Sequence, residues 1–207
     1  YGPPSVLSIQ QVEKPVPKDG EVMIQVHATT VNRTDCAMLR ANPFVMRFVT
    51  GLRKPTRKIL GTDFAGTVAA IGQHVVSFKL GDRVFGFSDL GISSHAQYMT
   101  YPEDKGISTI PDNFTFQQAA ASLEGVHYAY NMINKVALKE GQKALVNGAS
   151  GAIGSAALQL LNYYGAQVTA VCSTKNIELI KSIGADKVID YTREDFTKSN
   201  GVFTVKA

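Results

Sequence analysis

Hydrophobic positions follow two regimes along the chain. Up to about residue 110 they alternate over short runs broken by glycine and proline; beyond it they recur at helical spacing between short apolar runs. In the first regime, Glu21–Val31 places Val22, Ile24 and Val26 on one face and Glu21, Met23, Gln25 and His27 on the other, which predicts a half-buried strand. His27, on the polar side, reads as a surface histidine. Further strands are predicted between Val6 and Ile9, within Ile59–Val76, at Arg83–Phe85 after the Gly81–Asp82 turn, and at Ser94–Thr100. Asn32–Ala41 opens with polar residues and turns helical. Short strands and glycine turns at this density predict a small all-β barrel or sandwich.

The pattern changes near Pro111. A helix is predicted from Phe116, with Asn113 or Thr115 as its N-cap, and a second follows over residues 125–136. Next comes a buried strand at Ala144–Val146, a glycine turn from Asn147 to Gly151, and a helix from Ala152. That helix carries the stripe Ile153, Ala156, Ala157, Leu160, Leu161 and Tyr164 and closes at Gly165. Strand Gln167–Cys172, helix Asn176–Ile183 ended by Gly184, and strand Lys187–Ile189 complete the series. Strand, helix, strand, helix, strand with short links packs most economically as a parallel sheet. The boundary falls between about 105 and 120, giving domains 1–112 and 113–207.

The turn before the helix at Ala152 carries chemistry. In Lys143–Gly154, KALVNGASGAIG, the chain passes from a strand through glycines to a helix N-terminus. Such an end has unpartnered N–H groups and a partial positive charge, so it suits a phosphate. Ser150, Gly151, Ala152, Ile153 and Gly154 are the candidate contacts. Gly151 allows the backbone to approach a pyrophosphate, and Gly154 lets the helix lie close to the strand. The first glycine of the usual G-x-G-x-x-G is replaced by Ala149, with Gly148 just before it.

Composition narrows the field without deciding it. The 207 residues are 44% hydrophobic and 18% charged, enough for one or two packed domains. No run approaches the length of a membrane span. The net charge of +4 is too small to argue for nucleic acid. Two cysteines, Cys36 and Cys172, cannot build a disulfide framework, and a reducing, cytoplasmic compartment is the simpler expectation. No signal-peptide pattern is present, and a start at Tyr1 leaves room for a missing N-terminus. Arg47, Arg53, Lys54, Arg57 and Lys58 share a segment with no acid between Asp35 and Asp63. It reads either as a solvated loop or as a patch that attracts anions.

The order β-rich domain, LGTDFAGTV, KLGDRVFG, GQKALVNGASGAIGSAALQLLNYYGAQVTAV and IGADKVIDY resembles the medium-chain dehydrogenase/reductase superfamily, in its zinc-free quinone oxidoreductase-like branch. The resemblance covers nearly the whole chain. It implies an N-terminal GroES-like barrel followed by a Rossmann-type doubly wound sheet, here incomplete at its C-terminus. It also implies reduction of a quinone or an α,β-unsaturated carbonyl by hydride from a nicotinamide coenzyme, with no nucleic acid or membrane partner and with a homodimer as the candidate assembly. Zinc-dependent members carry a cysteine and a His–Glu pair where this chain has Asn32 and Thr62–Asp63, which are poor zinc ligands. The four-cysteine lobe has no counterpart, since Phe87–Pro111 contains no cysteine. No bound metal is expected.

The coenzyme is expected to be NADPH. An NAD site usually places a carboxylate at the end of the second strand, whereas here that strand runs into Ser173, Thr174 and Lys175. Two hydroxyls and a cation suit a 2′-phosphate. The alternative for Lys175 is an ordinary surface lysine. Tyr191 matches a tyrosine that relatives use near the adenosine. For catalysis the resemblance points to Asn32 and Asp35, with Asn32 as donor to a carbonyl oxygen; helix capping is the competing role for both. His127 and Tyr128 fall where relatives approach the nicotinamide, but the family has threonine at the position of His127, so a packed helix histidine is the alternative. Relatives continue through several more strands. Either a stretch is absent between about Asp195 and Asn200, with Gly201–Val205 a late strand, or the chain stops early; intact mass decides. The other function class in view is a catalytically silent nucleotide-binding relative acting as a sensor or interaction protein.

Overall fold

The fold is a computed structural model in which residues 1–198 are described; the strand expected at Gly201–Val205 lies outside the described residues. The chain forms two compact units, Tyr1–Leu123 and Glu124 onward.

The first unit is built on one sheet of order β4-β1-β2-β3-β5. Its strands are β1 (Glu21–Ala28), β2 (Asp63–Ile71), β3 (Arg83–Phe87), β4 (Tyr98–Pro102) and β5 (Ile107–Thr109). Every pairing is antiparallel. The alternation in β1 sends Val22 and Ile24 inward, where they pack with Phe64, Val68, Val84, Met99 and Tyr101. Two register shifts interrupt the β1–β2 ladder, between Met23 and Ile24 and between Val26 and Ala28. Irregularities of this kind add twist and bend the strand. The second lies just before the loop that carries Thr29, Thr30 and Asn32.

Three expectations shift. Val6–Ile9 forms no strand: Pro4–Val6 is a single 3-10 turn, and Val6, Leu7 and Ile9 are exposed. Alternation makes a strand only where a neighbour offers its backbone, and here none is paired. β4 begins at Tyr98, after the position expected from Ser94. Ser94 and His95 serve as loop anchors instead: the Ser94 hydroxyl lies 3.0 Å from that of Thr29, and His95 Nε2 lies 2.9 Å from the Thr30 carbonyl. A carbonyl only accepts, so His95 carries its proton on Nε2. The division between units falls after Leu123, where 112 was expected. Helix α3 (Phe116–Ala121), which follows α1 (Arg33–Arg40) and α2 (Met46–Thr50) in the chain, is the reason. It is capped by Thr115 in a capping box with Gln118, and its Ala119 and Ala120 pack with Ala65 and Ile110 of the first unit.

The second unit begins with α4 (Leu123–Ile133), whose residues from Glu124 belong to it. It carries β6 (Lys143–Asn147), β7 (Gln167–Cys172) and β8 (Lys187–Asp190), parallel and in the order β6-β7-β8. Helix α5 (Ala152–Tyr163) crosses from β6 to β7, and Leu158 and Leu161 bury against Val168, Ala170 and Ile180. Between β7 and β8 the chain makes a 3-10 turn, Thr174–Asn176, and a short helix, α6 (Ile177–Ser182). Among the described residues no helix is long and apolar enough to cross a membrane.

Candidate functional site

The glycine turn after β6 has the geometry its sequence predicts. Gly148 adopts a left-handed φ of 73°, and the Ala149 amide donates to Val171 O at 3.1 Å, which pins the turn to the neighbouring strand. Gly151 is the N-cap of α5 and no side chain caps this end. The first backbone bond of the helix is Ser155 N–H to Gly151 O, 2.8 Å, so the amides of Ala152, Ile153 and Gly154 precede it. Ser150, Gly151 and Ala152 are exposed; Ile153 and Gly154 are half-buried.

The two key glycines answer to different demands. A Cβ on Gly154 would sit 2.3 Å from Gly148 O and 2.8 Å from Ala149 Cα, so the chain itself requires glycine there. A Cβ on Gly151 would meet only Gly148 O, at 3.4 Å, an ordinary contact. Its φ of −81° is open to any residue. Nothing among the described residues therefore needs glycine at 151, and the space beside it faces solvent next to three amides that have no partner among those residues. Anionic oxygens fit that place. Gly125 was not singled out from the sequence, yet its missing side chain lets α4 pass the Ala152 carbonyl, to which a Cβ would approach within 2.6 Å.

The ends of β7 and β8 bring Ser173, Thr174, Lys175 and Tyr191 together. The Tyr191 amide donates to Cys172 O at 3.2 Å. Lys175 and Tyr191 are exposed. Ser173 Oγ accepts from Asn176 Nδ2 at 3.3 Å. The residue missed in the sequence is Asp190. Its carboxylate accepts the Thr174 hydroxyl and, at 2.7 Å, the Thr192 hydroxyl. Those hydroxyls, Thr174 first, hold its carboxyl below the usual carboxylate range, so it is ionised at neutral pH. Of the two hydroxyls expected to face a phosphate, that of Thr174 thus already directs its proton to Asp190 as a hydrogen-bond donor.

In the first unit, Asn32 and Asp35 form a capping box at the start of α1 (Arg33–Arg40). Asn32 Oδ1 accepts from the amides of Thr34 and Asp35, and its Nδ2 donates to Thr62 Oγ1 at 3.0 Å. Asp35 is 2% exposed and accepts the amides of Asn32 and of Gly61, each at 3.0 Å. Asp63, 1% exposed, accepts the amide of Thr30 at 2.8 Å and the Thr30 hydroxyl. Thr62 and Asp63, weighed from the sequence only as the place of zinc ligands, thus belong to one hydrogen-bonded cluster with Asn32. Among the described residues no three His, Cys, Asp or Glu side chains are grouped to hold a metal ion.

The remaining candidates are placed as follows. His127 is hydrogen-bonded to Asn131 at 3.1 Å, and its ring meets that of Tyr128 edge-on. His27 is exposed and stacks on Phe116, with ring centroids 4.4 Å apart. In the basic segment, Arg47 lies over the rings of Tyr1 and Phe44 and donates to Leu52 O, while Arg57 donates to Leu90 O. Two of the five cations therefore brace local structure. Cys36 is exposed and Cys172 is 1% exposed. Burial, with the Asp190 charge adding to it, pushes the Cys172 thiol up. One thiol per chain is expected to react with a disulfide reagent at neutral pH, and two after denaturation; fast labelling of both in the native state would contradict this burial.

The alcohol dehydrogenase GroES-like domain profile matches residues 18–112. The chain is 34% identical over 202 residues to the quinone oxidoreductase of Sus scrofa, covering 95% of this chain and 58% of that one. It is 33% identical over 205 residues to the 2-methylene-furan-3-one reductase of Solanum lycopersicum, covering 95% and 51%. It spans about half the length of these curated relatives. Among solved structures, the quinone oxidoreductase of Coxiella burnetii superposes with a TM-score of 0.84 at 29% identity, over 95% of this chain and 62% of the other. A mycobacterial protein complexed with NADPH superposes with a TM-score of 0.77 at 26% identity, over 91% and 56%. With these relatives along nearly all of its length and both halves of the fold in place, the chain belongs to the medium-chain dehydrogenase/reductase superfamily, in its quinone oxidoreductase-like branch.

Proposed function

We propose that this chain carries the coenzyme-binding and substrate domains of an NADPH-dependent oxidoreductase that reduces a quinone or an α,β-unsaturated carbonyl without zinc. The observation that carries the reading is the turn at Gly151: three amides without partners among the described residues, beside a glycine that the packing around it does not need. When bound, the coenzyme supplies the hydride. The amides of Ala152, Ile153 and Gly154 hold its pyrophosphate, with Ser150 beside them. Lys175 and the Ser173 hydroxyl favour a 2′-phosphate, and Tyr191 lies at the same strand ends. In the first unit, Asn32 and Asp35 act by holding the loop that leads from β1 into α1. The two Asn32 amide protons face Thr62 Oγ1 at 3.0 Å and, more loosely, Thr30 and Asp63 at 3.4 and 3.5 Å, so the group meets a substrate carbonyl only by giving up one of these bonds.

Conjugated acceptors suit such a site, because charge arriving with hydride spreads onto the conjugated oxygen and needs little protein help. The hydrogen bonds that occupy Asn32, Thr62 and Asp63 support a mechanism free of metal. A reducing, cytoplasmic setting and a homodimer accompany this reading; light scattering tests the latter.

The test is a titration with NADPH and NADH, followed by coenzyme oxidation with a panel of quinones and enones. Lys175→Glu is expected to weaken NADPH about 10–100-fold, the size of a lost charge-assisted contact, and to leave NADH nearly unchanged. Equal effects on both would remove the NADPH assignment. A second reading, a nucleotide-binding relative without turnover, draws on the commitment of Asn32 and Asp35 to capping. Tight NADPH binding with no oxidation by any acceptor would favour it.

A further inference from the structure

We propose that Asp190 is a positioning residue for coenzyme selectivity: by accepting hydrogen bonds from the hydroxyls of Thr174 and Thr192 it clamps the Ser173–Lys175 turn in the shape that distinguishes a 2′-phosphate from a free 2′-hydroxyl. The inference rests on the reading of this turn as the ribose end of the coenzyme site.

Asp190 ends β8 directly beside Cys172, the last residue of β7. The carboxyl ends of adjacent parallel strands are where ligands meet such sheets. Its side chain is 9% exposed, a place where a carboxylate is costly unless hydrogen-bonded. The structure supplies the bonds. Besides the two hydroxyls, the Thr192 amide donates at 3.0 Å, and Arg193 Nε lies 3.5 Å away. The hydroxyls of Thr174 and Thr192 are themselves 3.1 Å apart. One carboxylate thus gathers three side chains from both strand ends around the first residue of the Thr174–Asn176 turn.

The arrangement has a further effect. With its proton committed to Asp190, Thr174 presents only lone pairs outward and cannot donate to a phosphate. Donation to an anion falls to Ser173 and Lys175, whose positions depend on the turn that Asp190 holds. Asp190 is also a negative charge near the place assigned to the 2′-phosphate, so its two effects have opposite signs. If it acted only as a charge, removing it would raise the preference for NADPH. As a clamp, its removal lowers that preference.

The experiment measures dissociation constants for NADPH and NADH on the wild-type chain, Asp190→Asn, Thr174→Val and the double variant, with a thermal melt of each. The ratio of the two constants is insensitive to a fraction of unfolded protein, which affects both equally. Each single variant is expected to lower the NADPH preference about tenfold, the value of one well-placed hydrogen bond, with little further loss in the double variant. An unchanged or increased preference in Thr174→Val, or a rise in Asp190→Asn, overturns the clamp. Should Asp190→Asn fail to fold, Thr174→Val decides alone. If the wild type binds neither coenzyme, the proposed function itself falls, and this inference with it.

Discussion

Replacing Gly151 with valine is expected to leave the second unit folded and to abolish NADPH binding, whereas Gly154→Val is expected to unfold it at markedly lower temperature. The two residues stand three apart in one turn, and the difference lies in what each Cβ would meet. At Gly154 the obstacles are the carbonyl of Gly148 at 2.3 Å and the α-carbon of Ala149 at 2.8 Å, both backbone, which cannot swing aside as a side chain does. Relief requires moving α5 away from the turn, and overpacking of this kind costs about 1–3 kcal/mol or more. At Gly151 the nearest atom is 3.4 Å away and φ is ordinary, so the loss is confined to replacing glycine at an N-cap, at most about 1 kcal/mol. The valine methyls would instead fill the space beside the free amides. Thermal melts of the two variants with and without NADPH check this. A Gly151→Val protein that still gains stability from the coenzyme as the wild type does would show that the pyrophosphate is held elsewhere.

Asp35→Ala is expected to destabilise the first unit by about 2–5 kcal/mol, because it strands two amides that now have a carboxylate partner. One belongs to Asn32, at the start of α1, and the other to Gly61, which has a φ of 108°. Their loss would loosen the junction of α1 with the loop before β2 and release Asn32 from its cap. Activity should then fall in step with the folded fraction and recover on cooling. A variant that melts like the wild type but has lost turnover would instead make Asp35 a participant in the chemistry.

Much of the fold was legible because its signals are local. The stripe of α5, the apolar run of β7 and the glycines that follow α5 and α6 name their elements almost to the residue. The failures share one cause: they depend on partners far away in the chain. Val6–Ile9 alternates like a strand, but alternation does not reveal whether a neighbour is present. α3 reads as the opening of the second domain, yet its alanines bury on the first sheet. The candidate sites divide in the same way. Gly151 and Gly154 stand out through spacing. Asn32 and Asp35 were correctly seen as capping candidates, but that Asp35 also holds Gly61, 26 residues away, is not written in either segment. Asp190 is equally hidden, because it acts through Thr174, 16 residues away at the end of the neighbouring strand.

The contrast between the two glycines reaches beyond single variants. Any screen that scores only expression or resistance to heat would discard changes at 154 and let residue 151 drift, since nothing in the polypeptide defends it. Glycine persists at 151 only while something outside the chain keeps testing that surface.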